Sequence, residues 1–361
     1  MKAVYAISMF VLLGVSGARS TLGEETYTLR SLGTLGAYAA EVKSMNESAQ
    51  AVGTLETGFI PEREHAFLSS AGETRELHAA VLQVEHCVLM RSDGRFIADS
   101  GLIVGWVWCS GAELRRGWPG HSFAYVNGAV TELRGVAGRG TSKAFPVGGQ
   151  DGVHLWEIDA QGSAHDTGRL EGASGFPTAM NARGEVVGWS VTASTGPRAW
   201  LWSDRRVQDL GTLGGPSSKA FAINDSGDVV GAADLSGDER HAFLYRHGAM
   251  RDLSTLGGRV SVAYDINASG QIVGWSAPEP DVAGAHASSR GRAFLYENGQ
   301  MKDLNRRLVG PEAQFVTLQE AVAINEAGVI AANGMDSRDS GLHAGARAYL
   351  LTPTSTEHSQ R

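Results

Sequence analysis

The feature that most constrains the fold is an internal repeat with a period near 43 residues. An Asn-x-x-Gly element followed by an apolar run occurs as "NARGEVVGW" at Asn181, "NDSGDVVG" at Asn224 and "NASGQIVGW" at Asn267, with weaker copies at Asn46 and Asn325. The stretch between Asn46 and Asn181 leaves room for two degenerate copies. Repeats of roughly 40 to 50 residues, built of short alternating strands and glycine-rich turns, are typical of four-stranded β-propeller blades.

A second repeated element gives an independent count of the units. It opens with a basic residue and continues with small and aromatic residues, as in "HAFLY" at His241. The seven copies begin at His65, His121, His154, Arg198, His241, Arg292 and Arg347. The sequence therefore predicts an all-β chain that folds as a single β-propeller over residues 21–353, with seven four-stranded blades. Six blades is the alternative, because the third unit, near residues 135–170, lacks an obvious second strand.

The ends of the chain predict how the propeller closes. The clearest unit has four strands, A to D, at 218–224, 228–233, 241–247 and 249–254. The last unit stops after strand C at 347–353, and the polar tail 354–361 is expected to be disordered. The segment "YTLRSLGTLG" at 27–36 resembles D strands such as "MRDLSTLGG". We therefore predict that it completes the last blade, since a closed ring leaves no open sheet edge where the termini meet.

The N-terminus has the pattern of an export signal. Met1 and Lys2 precede an apolar stretch at 3–15, and small residues that suit a cleavage site follow up to Ser20. A transmembrane anchor is the alternative, but the apolar stretch is shorter than the roughly 20 residues that span a bilayer. No cysteine follows it, which argues against a lipid anchor. Residues 1–20 are therefore predicted to be a signal peptide, and the protein to be secreted, periplasmic or on the cell surface.

Charge and motifs exclude several classes of function. The formal net charge is −8, with both signs interspersed and no basic block, which argues against a nucleic-acid partner. The sequence contains none of the motifs of serine hydrolases, zinc proteases, phosphate loops or Cys-x-x-Cys redox centres. The oxygen ligands in "NDSGD" and "DLSGDE" are too few for a calcium loop. We predict no metal, no cofactor and a monomer.

Two cysteines, Cys87 and Cys109, leave their oxidation state open. An exported chain permits a disulfide, and a hairpin with its turn near residue 98 would set the two side by side. Two buried free thiols are the alternative, since two ligands are too few for a closed zinc site.

The repeated patterns also carry a family resemblance. "HAFLY", "DLGTLGG" and "AIN-x-x-G" followed by "VVG" resemble the bacterial extracellular HAF-repeat proteins over nearly the whole mature chain. The resemblance implies a repeat propeller and export. It implies no activity, so no catalytic residue is carried over.

Most repeated positions are interpreted as structural frame. Asn tolerates a left-handed backbone and Gly supplies positive φ, so Asn-x-x-Gly predicts a tight turn between strands A and B. Trp106, Trp189 and Trp275 follow Val-Gly on strand B and are assigned to the core, with sugar binding as the alternative. The basic residues that open strand C have two interpretations. Each side chain either makes a capping contact to a carbonyl or carboxylate, or belongs to a ring of cationic side chains whose His members gain charge as the pH falls.

Candidate ligand-binding residues lie on the long connections between strands B and C and at the start of strand C. Loops above a rigid scaffold commonly carry function. The candidates are Arg63, His65, Arg115, Arg116, Trp118, His121, Arg198, His241, His286, Arg290, Arg292 and Arg347.

Three functions are compatible with these patterns. The first is an exported binding or scaffold propeller for an extracellular or envelope glycan or protein, with acidic polysaccharide or glycolipid as the anionic partner that a basic face would bind. The second is a polysaccharide hydrolase or lyase, for which the candidate acid/base groups are Glu62, Asp238, Glu239, Asp336 and Asp339. The third is a purely structural surface or matrix protein.

Overall fold

The computed structural model describes residues 25–57, 64–77, 88–110, 120–126, 128–133, 136–137, 144–149, 151–158, 164–192, 196–278, 291–339 and 345–354. In this part of the chain every element is a β-strand except a short 3-10 helix at Leu304–Arg307, so the all-β prediction is confirmed. No helix of these residues is long and apolar enough to cross a membrane. The predicted signal peptide, the tail beyond residue 354, Cys87 and the side chain of Cys109 lie outside the described residues.

The described strands fall into seven consecutive units, I to VII, preceded by β1 (Tyr27–Ser31). Units I to III comprise β2 (Ala39–Met45), β3 (Ala51–Glu56), β4 (Glu64–Ser70), β5 (Glu73–Glu76), β6 (Val88–Ile97), β7 (Ile103–Ser110), β8 (Gly120–Val126), β9 (Ala129–Leu133), β10 (Val136–Ala137), β11 (Ala144–Gly149), β12 (Gly152–Ile158) and β13 (Ala164–Arg169). Units IV and V comprise β14 (Phe176–Met180), β15 (Val186–Thr192), β16 (Gly196–Ser203), β17 (Arg206–Asp209), β18 (Gly214–Ile223), β19 (Val229–Leu235), β20 (Arg240–Arg246) and β21 (Ala249–Asp252). Units VI and VII comprise β22 (Gly257–Ile266), β23 (Ile272–Pro278), β24 (Arg292–Glu297), β25 (Gln300–Asp303), β26 (Leu308–Val309), β27 (Val316–Ile324), β28 (Ile330–Asp336) and β29 (Arg347–Pro353).

In units I to VI the four strands, again called A to D, pair antiparallel with their neighbours in sequence. Unit VII takes its strands A to C from β27, β28 and β29, and β1 pairs antiparallel with β29, from Tyr27 opposite Pro353 to Ser31 opposite Tyr349. On its other side β1 runs parallel to β26. The first described strand therefore lies in the same sheet as the last.

Unit III has the second strand that the sequence pattern did not show. This strand is β11, which pairs with β12 so that Phe145 lies opposite Trp156. Its sequence, "AFPVGG", contains Pro146 and follows no Asn-x-x-Gly turn, and for this reason the repeat pattern missed it. Strand A of this unit, β10, has only two residues.

The Val-Gly and "HAF" motifs fit together across strands A, B and C. At Gly53, Gly105, Gly188, Gly231 and Gly274, all on strand B, a Cβ atom would lie 1.9–2.4 Å from a carbonyl oxygen of strand A and 2.5–2.9 Å from an aromatic ring of strand C. Glycine thus lets the ring of the "HAF" element pack flat against strand B. In unit VII the equivalent residue is Ala332.

The repeated asparagine holds its own turn and links neighbouring units. In unit V, Asn224 Oδ1 accepts hydrogen bonds from the backbone N–H of Ser226 and Asp228, both at 3.0 Å. Its Nδ2 donates to the carbonyl oxygen of Asn267 in unit VI, at 3.1 Å. The same donation runs from Asn46 to Ala98, from Asn181 to Asn224, from Asn267 to Asn325, and from Asn325 to Glu47.

The predicted turn is therefore present, but the stated reason for asparagine was wrong. Gly227 and Gly270 adopt positive φ, at 84° and 81°, whereas neither Asn224 nor Asn267 does. Asparagine is used for its side-chain amide, which can accept within the turn and donate to the next unit at the same time.

The hydrophobic core lies between neighbouring units rather than within one. One cluster packs Val187 and Leu201 of unit IV against Val229 and Phe243 of unit V. Another joins the last unit to the first, where Ala348 and Leu350 belong to the same buried cluster as Val42, Leu55 and Phe67.

Candidate functional site

Strand A carries a β-bulge at the same place in six units. In unit V, Ala220 pairs with Gly231 and Ala222 with Val230, so Phe221 has no partner on strand B. One residue is skipped in the same way in units I, II, IV, VI and VII. The six skipped residues are Lys43, Arg95, Thr178, Phe221, Tyr264 and Val322. A bulge bends its strand and re-aims the side chain of the extra residue.

All six bulged side chains line one cavity of about 540 Å³. Because strand A of six different units contributes to its wall, the cavity lies where these units converge, and we call it the central cavity. The remaining wall residues are Phe96, Val104, Trp106, Phe176, Pro177, Trp189 and Glu320. A cavity of this size, mostly apolar with a few polar groups, is typical of a small-molecule site.

One side of the central cavity, formed by units IV to VI, is aromatic. The rings of Phe176 and Trp189 stack with centroids 4.3 Å apart and planes 22° apart. Phe221 and Tyr264 lie next to each other at 6.1 Å with tilted rings. The sequence analysis assigned three strand B tryptophans to the core, and Trp275 is buried as predicted. Trp106 and Trp189 are instead partly exposed and line the cavity.

The other side, formed by units VII, I and II, is charged. Lys43 Nζ donates to Glu41 Oε2 at 2.5 Å, and Glu320 Oε1 accepts from Asn333 Nδ2 at 2.9 Å. Burial, the largest influence, would lower the pKa of Lys43, but Glu41, Asp93 and Glu320 together raise it above its usual value. Lys43 therefore keeps its charge at neutral pH.

Arg95 is the most exposed charged group of this wall, with 45% of its side chain accessible. Its Nε lies 2.9 Å from Asp93 Oδ2, and its guanidinium carbon lies 4.2 Å from the centre of the Trp106 ring. Asp93 is buried and also accepts a 2.6 Å hydrogen bond from Thr54 Oγ1. Arg95 is thus held in place by a carboxylate on one side and by an aromatic face on the other.

Tyr264 lies at the junction of the two sides. Burial, and then the negative charge of Glu320, raise the pKa of its phenol above the usual value. The phenol is therefore a neutral hydroxyl at any physiological pH.

Among the basic residues that open strand C, those whose side chains are described do not line this cavity. Arg347 Nη1 donates to the carbonyl oxygen of Tyr38 at 2.7 Å, and four others pair with a carboxylate of the same unit. The other measured pairs are His65 with Glu76 at 2.7 Å, His154 with Asp166 at 2.8 Å, Arg198 with Asp209 at 3.0 Å, and His241 with Asp252 at 2.9 Å. These contacts are of the capping type, and each of these four basic residues already has a carboxylate partner.

Arg292 opens β24 and is half-buried. The other ligand residues predicted from the sequence have no described position relative to the cavity. Arg63, Arg115, Arg116, Trp118, His286, Arg290 and the side chain of His121 lie outside the described residues.

The sequence analysis missed the six bulged residues, although a signal for them was present. In "KAFAIN", "VAYDIN" and "EAVAIN", the residue three places before the asparagine changes from Phe to Tyr to Val, while the residue before it stays Ala and the residue before the asparagine stays Ile. A position that varies inside a repeated frame is a candidate for ligand contact. Periodicity alone did not show that this residue leaves the strand ladder.

Comparisons with known proteins identify the fold and no activity. A family model described as a protein of unknown function, DUF3466, matches residues 214–341. A comparison with curated proteins found no match. Among solved structures, the β-propeller domain of the Trilobed protease from Pyrococcus furiosus is similar, with a TM-score of 0.52 and 9% sequence identity over 87% of this chain and 97% of that one.

Two enzymes show weaker likenesses. Virginiamycin B lyase from Staphylococcus aureus has a TM-score of 0.49 and 10% identity, over 90% of this chain and 99% of that one. An ancestral GH74 enzyme has a TM-score of 0.49 and 11% identity, over 92% of this chain and 48% of that one. The paired strands and the likeness to the Pyrococcus domain define the chain as a β-propeller.

Proposed function

We propose that this protein is an exported ligand-binding propeller of the HAF-repeat type, which binds a saccharide in its central cavity. Six bulged side chains from six units converge on one cavity, and this observation carries the proposal. The turn and strand C residues of each unit follow the same repeated pattern, whereas the bulged residues differ from unit to unit. Such variation is expected of residues that contact an asymmetric ligand.

The proposal includes a closed ring of seven blades in which β1 supplies the last strand. The pairing of β1 with β29 supports it, as does the hydrogen bond from Asn325 of unit VII to the carbonyl oxygen of Glu47 in unit I. Leu32 N–H, just after β1, also donates to Ala348 O at 2.9 Å. Six blades would leave one of the seven described units outside the ring.

A saccharide fits the two sides of the cavity. A pyranose ring has an apolar face of C–H groups and a rim of hydroxyls. Phe221 and Tyr264 offer aromatic rings for the first, and Lys43 and Arg95 offer hydrogen-bond donors for the second. Trp106, covered by Arg95, adds an aromatic group to the charged side.

Binding is favoured over catalysis because the carboxylates around the cavity already have partners inside the protein. Glu41 pairs with Lys43, Asp93 with Arg95, and Glu320 accepts from Asn333. A hydrolase or lyase is the second candidate, since these three carboxylates come from the adjacent units I, II and VII. Asp336, the last residue of β28, is bound by Arg338, which holds the pKa of its carboxyl below the usual value.

The test is saccharide binding by the purified mature chain, screened on a glycan array and measured by calorimetry. The variants Phe221→Ala and Tyr264→Ala should each weaken binding about tenfold or more, because each removes an aromatic wall. Phe315→Ala is the matched control, since Phe315 is half-buried but lies against Arg338 outside the cavity. If both cavity variants bind like the parent, the site is elsewhere. New reducing ends or unsaturated products would establish the enzyme instead.

A further inference from the structure

We infer that the saccharide bound in the central cavity carries a carboxylate, and that Arg95 is the residue that binds it. The inference rests on the proposed function and names the ligand class of the same site. A uronic acid is the chemical class meant: a sugar ring with one ring-attached carboxylate.

Arg95 is already oriented for an anion. Its Nε faces Asp93, and the flat guanidinium lies over Trp106, so two contacts fix the plane of the group. Asp93 is itself fixed by the hydrogen bond from Thr54, and both residues are buried. An arginine held in this way loses little conformational freedom when a ligand binds.

The donors left over on Arg95 match a carboxylate. Asp93 occupies the Nε side, and within the described residues no other carboxylate pairs with Arg95. The two terminal nitrogens therefore remain for a ligand, and a carboxylate can accept from both at once with good geometry. Because 45% of the side chain is exposed and Arg95 is part of the cavity wall, these donors are accessible from the cavity.

The neighbouring charges disfavour more than one negative charge on the ligand. Lys43, on the same wall, keeps its proton and adds a second cation. Glu41, Asp93 and Glu320 also surround this wall, so a doubly charged phosphate monoester would meet more repulsion than a carboxylate would. The aromatic side receives the sugar ring, which places the ring between Phe221 and Tyr264 on one side and Arg95 on the other.

The decisive comparison is between acidic oligosaccharides and their own neutral forms. We would titrate the mature chain with trimers of galacturonate, mannuronate and guluronate and with a hyaluronan tetrasaccharide, each beside its carboxyl-reduced counterpart. At least one acidic form should bind about ten- to a hundredfold more tightly than its reduced form, as expected for a two-pronged charged contact. Arg95→Gln should remove this preference.

Arg246→Gln is the matched control variant. Arg246 pairs with the buried Asp228 as Arg95 pairs with Asp93, and 43% of its side chain is exposed, but it does not line the cavity. It should keep both the affinity and the preference. Arg95→Lys retains the charge beside Asp93 and serves if Arg95→Gln does not fold; it should keep part of the preference, because it lacks the planar fork.

The possible outcomes separate this inference from the proposal beneath it. If neutral and acidic forms bind equally while Phe221→Ala abolishes binding, the carboxylate inference is wrong and the saccharide site stands. The inference is also wrong if Arg95→Gln keeps the preference. If no saccharide of the panel or the array binds, both fail.

Discussion

The repeated asparagine should contribute more to stability than the exposed residues of its turn, and Asn224→Ala tests this. The side chain of Asn224 is buried and accepts from the N–H groups of Ser226 and Asp228. It also donates to the carbonyl oxygen of Asn267 in the next unit. Alanine cannot replace any of these bonds and leaves buried polar groups without partners. Each such group costs about 1 to 3 kcal/mol, so we expect a loss of about 2 to 4 kcal/mol, because water reaches part of the turn.

Urea unfolding followed by circular dichroism measures the effect. The midpoint should fall while the slope of the free energy against urea stays constant, since the folded state is unchanged elsewhere. Asn224→Asp separates the two roles, because it keeps the acceptor within the turn but loses the donor to Asn267. At neutral pH it should be no more stable than Asn224→Ala, because its carboxylate oxygen would face the carbonyl oxygen of Asn267 and Asp228 Oδ2, to both of which Nδ2 of the parent donates. Ser226→Ala, exposed in the same turn, is the control and should change stability by less than about 0.5 kcal/mol.

The reasoning would be refuted if Asn224→Ala unfolded at the same urea concentration as Ser226→Ala. In that case the turn would be held by Gly227 and the backbone alone, and the side-chain link between units would contribute nothing to stability.

Three further predictions concern the frame and its charges. Deleting residues 26–33 should abolish cooperative thermal unfolding, because β1 pairs with β29 and buries Tyr27 completely; a truncated chain that melts like the parent would contradict the closed ring. His241→Ala should lower stability by no more than about 1 kcal/mol and leave saccharide affinity unchanged, because its pair with Asp252 is partly exposed and lies outside the cavity; a large loss of affinity would return the ligand to the start of strand C. Burial raises the pKa of Tyr27, Tyr264 and Tyr349 above the usual range, so the folded state keeps protons that the unfolded chain loses above about pH 10. Stability should therefore be complete below pH 10 and fall as the pH rises above it, and unfolding curves that do not change between pH 9 and 11 would show that these phenols are not buried.

The frame of the molecule was predictable because it is periodic. Asn181, Asn224 and Asn267 recur at the spacing of one unit, and each "HAF" element falls on strand C, so strand order and all-β class followed from counting. The prediction of strands was weakest in unit III, because Pro146 and the missing Asn-x-x-Gly turn interrupt the repeat pattern there. The structure nevertheless has a strand B in this unit, β11, which pairs with β12. The link that Asn325 makes to Glu47, across most of the chain length, was not visible in any local pattern.

The ligand residues predicted from the sequence and the residues of the central cavity are different sets, for a physical reason. Sequence reasoning looked for charge and loop length and chose, among others, His241 and Arg198 at the start of strand C, where Asp252 and Asp209 pair with them. Whether a basic residue is available to a ligand depends on what lies across the sheet, and that partner sits on strand D, 11 residues further along the chain.

The sequence by itself determined the repeated frame. It shows which residues form strands, which turns carry an asparagine, and where a strand B glycine leaves room for an aromatic ring of strand C. Only the tertiary structure decided which residues line the central cavity. Phe221, Tyr264 and Lys43 are separated by up to some 220 residues, and each looks like an ordinary strand residue in its own unit. A bulge shifts each of them out of the ladder, and the convergence of six A strands brings them to one cavity. Convergence of this kind depends on how whole units are arranged in space, and the alternation of residues along one strand carries no information about it.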